Sequence, residues 1–200
     1  MRSRFIALSV LSLLLFPCFV EARATWYNTA SVDVPVDGGV MLTYSRFYRV
    51  NRFLDIGGVV SGGQIRREFD LKASNGLEYQ VETEAMVLPL AGPVVSLHYE
   101  WIGISIGYAA FQADTDVTMK NGTVGTLRGT KKAWGTGVYS PILVLDFYNQ
   151  NRNLIFGVGL GAFYATSFPN LEASNGSTVI STDESPIDTL TFHLRCLWGG

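Results

Sequence analysis

The chain is short of charge, of histidine and of cysteine, and beyond its first two dozen residues it has no long apolar run. Charged residues make up 16%, against roughly 25% in an average soluble protein. The net charge of −2 leaves no basic stripe of the kind that nucleic acid requires. Two histidines, His98 and His193, are too few for a histidine-rich metal centre, and Asp114 and Asp116 lack the spacing of a calcium loop. No metal and no cofactor is expected, since Gly157, Gly159 and Gly161 depart from a dinucleotide fingerprint and no helix follows them. Of the two cysteines, Cys18 falls in an apolar leader, and Cys196 by itself forms no internal disulfide. No stretch after residue 24 approaches the ~18 consecutive apolar residues of a transmembrane helix.

What is present points to β structure. Hydrophobic residues reach 48%, aromatics 12%, and there are 21 glycines. That composition suits strands and disfavours disorder. Arg2 and Arg4 precede an apolar stretch from Phe5 to Val20, and Ala22-Arg23-Ala24 supplies small residues in an A-x-A arrangement. This is the layout of a cleavable export signal over residues 1–24, followed by a single domain over 25–200. The stretch is shorter than the ~20 residues of a spanning helix, and Pro17 interrupts it.

Period-two alternation runs through the rest. Ile102, Ile104, Ile106 and Tyr108 alternate with Gly103, Ser105, Gly107 and Ala109, and Leu190, Phe192, Leu194, Cys196 and Trp198 with Thr191, His193 and Arg195. The pattern predicts eight strands, at 26–34, 40–48, 53–72, 77–90, 94–112, 133–148, 153–168 and 187–198. Ser74-Asn75-Gly76 marks a tight hairpin, and Ala91-Gly92-Pro93 and Asn149 to Asn153 mark further short turns. With the N-terminus in the periplasm, the two long polar connections, 113–132 and 169–186, both fall outside. Short inner turns, longer outer loops and an even strand number describe a transmembrane barrel. Only a closed sheet satisfies its backbone in lipid, and eight strands enclose a lumen that side chains fill. Apolar columns are therefore expected to face lipid. A lumen charge network of Arg66, Glu68, Asp70, Glu82, Glu84 and Arg195 is expected inside, given room by the glycine and alanine columns of 94–112 and 153–168.

On the signal, the strand and loop layout, the run from Asn153 to Tyr164 and the closing strand Leu190 to Trp198, the sequence resembles the small eight-stranded outer-membrane proteins of the OmpA-transmembrane-domain and OmpX-like families. The resemblance spans the whole mature chain. It implies an all-β, antiparallel up-and-down barrel in the outer membrane, in contact with membrane lipid and lipopolysaccharide. It also implies assembly by the barrel-assembly machinery, which reads a terminal aromatic residue. Here Gly199-Gly200 follow Trp198.

Ser96, His98 and Glu100 alternate on one strand and carry the groups of acyl transfer, which resembles the chemistry of barrels that deacylate lipid A. Neighbours two apart on a strand lie about 6.5–7 Å apart, whereas a nucleophile and its base need about 2.6–3.2 Å. A polar lumen column is the reading favoured for them. Arg128, Lys131 and Lys132 form a basic patch at the end of an outer loop, suited to point-charge contact with lipopolysaccharide phosphates. The leading expectation is a non-enzymatic barrel with a structural, adhesion or surface-interaction role for loops 113–132 and 169–186. A lipid A-modifying barrel enzyme and a soluble periplasmic, lipocalin-like binding protein stand as alternatives. A porin-like passive pore ranks below them, because eight strands leave little lumen.

Overall fold

A computed structural model describes residues 26–73, 76–99, 102–148 and 154–198. Residues 1–25, which hold the expected signal, together with Ser74-Asn75, Glu100-Trp101, 149–153, where a turn is expected, and Gly199-Gly200 lie outside the described residues.

Among the described residues there are ten strands: β1 (Trp26–Pro35), β2 (Gly39–Arg49), β3 (Leu54–Lys72), β4 (Glu78–Tyr99), β5 (Ile102–Asn121), β6 (Gly125–Tyr148), β7 (Leu154–Ser167), β8 (Leu171–Ser174), β9 (Val179–Thr182) and β10 (Thr189–Trp198). Eight of them close a ring, β1-β2-β3-β4-β5-β6-β7-β10, with β10 returning to β1 and every neighbour antiparallel. The fold is an all-β, eight-stranded up-and-down barrel. Trp26 and Trp198 sit at one end, called here the lower end.

The alternation written in the sequence decides the two faces. Ile104, Ile106, Tyr108, Leu190, Phe192 and Leu194 are exposed on the outside, while Ser105, Ala109, Thr191 and His193 are buried within. Asparagine carboxamides shape three turns. Asn51 Oδ1 accepts from the N–H groups of Phe53 and Leu54, Asn121 from those of Thr123 and Val124, and Asn175 from those of Ser177 and Thr178. Each carboxamide thereby replaces a missing backbone acceptor.

Two features depart from the sequence expectation. The first is the predicted turn at Ala91-Gly92-Pro93, which is strand: β4 runs through it to Tyr99. A Cβ on Gly92 would stand 2.1 Å from the Tyr108 carbonyl oxygen, so this glycine marks a close approach of β4 to β5 and not a reversal. The β4–β5 ladder passes over Gly92 and Pro93, after shifting register between Val87 and Leu90. Proline's missing N–H is thus not required there.

The second departure is at the upper end. A spanning strand needs about 9–11 residues. β1, β2 and β10 have 10, 11 and 10. β3, β4, β5 and β6 have 19, 22, 20 and 24. The expected loop 113–132 is therefore mostly paired strand, turning only at 122–124. Ile65 is the last β3 residue opposite β2, and Thr136 the first β6 residue opposite β7. Everything above those levels is a four-stranded overhang. The expected loop 169–186 contains the β8–β9 hairpin, which pairs onto it at Arg128↔Ser174. Sequence polarity at these positions reflects the outer face of the overhang, where charges alternate with buried chains.

Two apolar clusters fill much of the interior. Ile65, Val87, Leu90, Phe111, Phe163 and Ile187 belong to the one inside the ring. Tyr79, Val81, Met119, Leu127, Leu171 and Ile180 belong to the other, between the overhang and the β8–β9 hairpin. Phe168 packs against both, and its ring stacks on Phe111 at 5.8 Å.

Candidate functional site

Interleaved with the ring's apolar cluster, which reaches down to Tyr27 and Phe47, the lumen carries polar side chains organised around three buried aspartates, Asp33, Asp55 and Asp146. Asp33 lies on β1, with Thr29 and Ser31 on the same inward column. It pairs with Nδ1 of His193, its register partner on β10, and accepts hydrogen bonds from Thr43 Oγ1 at 2.7 Å and Tyr139 Oη at 3.2 Å. Thr43 in turn meets Ser61 Oγ at 2.8 Å. Asp55, at the foot of β3, accepts from the Tyr27 hydroxyl and faces His98 Nδ1 at 3.1 Å and Arg49 Nε at 3.4 Å. Asp146 on β6 takes a two-pronged contact from Arg195, at 3.0 Å from Nε and 2.5 Å from Nη2. Each carboxylate thus has a cationic or imidazole partner, and Asp33 and Asp55 have hydroxyl donors besides, the condition under which a charge is tolerated away from water.

The structure separates the expected charge network. Arg195 lines the lumen, but Arg66, Glu68, Asp70, Glu82 and Glu84 are exposed on the outer face of the overhang. Their apolar neighbours Ile65, Val81 and Ala85 point inward. The correction has a simple cause. Within lipid the polar column must turn inward, whereas above it water is outside and the oily column turns in. The charges pair on that outer surface instead, Arg66 with Glu84 at 3.5 Å and Lys120 with Glu82 at 3.4 Å. The basic patch is likewise divided. Arg128 and Lys132 are exposed on β6, while Lys131, at odd parity, faces the other side and is half-buried. All three stand on a strand and not at a loop end.

Ser96 and His98 do share the lumen face. Ser96 Oγ accepts from Ser105 Oγ at 2.8 Å, and His98 is held by Asp55. Among the described residues no hydrogen bond joins Ser96 to His98, and Glu100 lies outside the described residues. Among the described residues Ser96 and His98 are thus held in separate contacts, an arrangement that supports packing and charge balance. Sequence reasoning did not single out Asp33, Asp55, Thr43 and Ser61. The signal for Asp33 was the polar column Thr29, Ser31, Asp33 alternating with Ala30, Val32, Val34 on β1.

The outer face completes the description. Val32, Leu42, Ile56, Val60, Leu97, Ile104, Leu160 and Phe192 are among the exposed apolar chains that encircle the ring. Trp26 and Tyr99 are exposed near the lower end and Tyr108, Trp134 and Tyr164 higher up, as interfacial girdles are. Tyr27, Tyr79 and Tyr139 turn inward instead. A closed antiparallel ring, apolar outside and polar or packed inside, defines a small eight-stranded transmembrane barrel of the outer-membrane type.

No protein-family model and no curated protein sequence matches the chain. Solved structures are similar to it. CarO2 of Acinetobacter baumannii aligns with a TM-score of 0.45 at 15% identity, covering 88% of this chain and 100% of that one. Ail, the attachment invasion locus protein of Yersinia pestis, aligns at 0.37 and 14%, covering 88% and 97%. Neisserial surface protein A aligns at 0.33 and 12%, covering 86% and 94%.

Proposed function

We propose that this chain is exported by its N-terminal signal, inserted in the outer membrane by the barrel-assembly machinery, and works without catalysis as a rigid stand for a surface-binding platform. The observation that carries this reading is the overhang. β3–β6 run about twice the length a membrane strand needs, and the surplus is packed on its own apolar cluster and braced by β8–β9. A platform with its own core presents fixed side chains, so a ligand meets little ordering cost on binding. The outward apolar belt supports membrane insertion. Soluble proteins rarely expose contiguous apolar patches beyond a few hundred Å², and each exposed Leu, Ile or Phe forgoes about 1.5–3 kcal/mol of burial in water. A soluble lipocalin-like carrier needs the reverse arrangement, with a polar exterior and an open apolar lumen.

The test compares bacteria displaying the full chain with bacteria displaying a trimmed chain, in which short turns replace 67–82, 117–129 and 170–183. Both are expected to reach the outer membrane and to migrate as compact, heat-modifiable bands. Only the full chain is expected to increase attachment to host cells or matrix. Equal attachment by the two would remove the platform role while leaving the barrel in place.

A further inference from the structure

The membrane-facing surface around β1 and β2 is indented. It carries a groove of about 700 Å³, within the range of ~300–1,000 Å³ that small-molecule sites occupy. Ala30, Gly62 and Cys196 contribute little or no side chain to it, while Leu42, Val60 and Leu194 wall it. The outward row immediately below pairs Asn28 with Arg46. Arg46 is exposed, and its guanidinium lies over the Trp26 ring, 5.0 Å from the centroid. It therefore bends away from the groove toward the lower end, where Trp26 meets Tyr48 at 5.0 Å. Among the described residues Arg46 forms no ion pair with a carboxylate.

An arginine on a lipid-facing surface is costly unless its head reaches the interface or a counter-charge. Here the head lies at the level of an aromatic girdle, one row beneath a hydrocarbon-lined groove. That is the order of phosphate and acyl chain in a membrane lipid. We propose that this face binds one phospholipid of the leaflet at the lower end, with its phosphate on Arg46 beside Trp26 and Asn28 and one acyl chain in the groove. The occupant is a lipid and not a protein, because the groove lies within the belt that bilayer chains already cover.

This inference rests on the membrane reading, and its test separates the two. The full chain is folded into detergent micelles with equal amounts of phosphatidylglycerol and of a diacylglycerol bearing the same chains, and retained lipid is read by native mass spectrometry. The wild type is expected to keep one phosphatidylglycerol in about tenfold preference, the size of a single charge-assisted contact. Arg46→Gln, a change at an exposed position, is expected to bring the two lipids to parity. Ala30→Phe is expected to fill the groove and lower retention of both. Equal retention by the wild type, or an undiminished preference in Arg46→Gln, overturns the site. Insertion into phosphatidylethanolamine vesicles is measured in parallel by heat-modifiable migration. Failure to insert overturns the membrane reading itself, whereas insertion without lipid preference overturns the site alone.

Discussion

Asp146 and Arg195 clasp each other across the strand that separates them. Asp146 is on β6 and Arg195 on β10, and on β7 between them, in register with both, stands Gly157. A Cβ at Gly157 would lie 2.4 Å from Asp146 Oδ1 and 3.0 Å from the Arg195 side chain. The glycine column of β7 is thus the opening through which two distant strands are tied.

Gly157→Ala is expected to push this pair apart and to lower barrel stability by about 2 kcal/mol, the cost of inserting a methyl group into a filled site. The double change Asp146→Leu with Arg195→Leu is expected to cost little by itself, since both partners leave together and no lone charge remains. In that background Gly157→Ala should cost much less. Urea unfolding of the chain in lipid vesicles measures all three, and an equal Gly157→Ala cost in both backgrounds would show that the glycine serves something other than the pair.

Asp33 holds three donors, so its removal strands more than one group. Asp33→Ala is expected to cost about 3 kcal/mol or more, because His193, Thr43 and Tyr139 lose their common acceptor. Thr43→Val should cost about 1 kcal/mol, a single neutral donor to a charge that keeps its other partners. The same unfolding measurement ranks them, and a Thr43 change as costly as the Asp33 change would contradict the shared-acceptor account.

Phe168 joins the ring cluster to the platform cluster. Phe168→Ala is expected to cost about 2 kcal/mol, below the ~3–5 kcal/mol of a fully buried phenylalanine, and the loss should fall on the platform. Limited proteolysis is expected to cut within 169–186 sooner than in the wild type while the heat-modifiable barrel band persists. Loss of that band together with the cleavage would mean that platform and barrel unfold as one unit.

Ser96→Ala and His98→Ala are expected to leave the acyl pattern of lipid A unchanged when the chain is expressed, judged by mass spectrometry of extracted lipid A. A serine and histidine acting as nucleophile and base would instead lose several orders of magnitude in rate. His98→Ala should nonetheless destabilise the lower lumen, because Asp55 loses its 3.1 Å partner.

The barrel was legible because its physics is local. Alternation on Ile102–Ala109 and Leu190–Trp198 reads directly as one oily face and one polar or tiny face. The direction of a polar column was not legible where the solvent changes. Arg66 and Arg195 look alike on paper, yet one meets water outside the overhang and the other meets Asp146 within the lumen. Gly92-Pro93 had the composition of a turn, and only the closeness of β5 shows why a glycine is needed in mid-strand.

By itself, the sequence determined the period of the strands within the ring, their number, and which of their columns are apolar, since those follow from the order of side chains along an extended backbone. Only the tertiary structure decided which carboxylate meets which cation, that β3–β6 stay paired above the ring, and where the outer face hollows. Those depend on the stagger between strands far apart in the chain, and that stagger is set jointly by all eight when the ring closes.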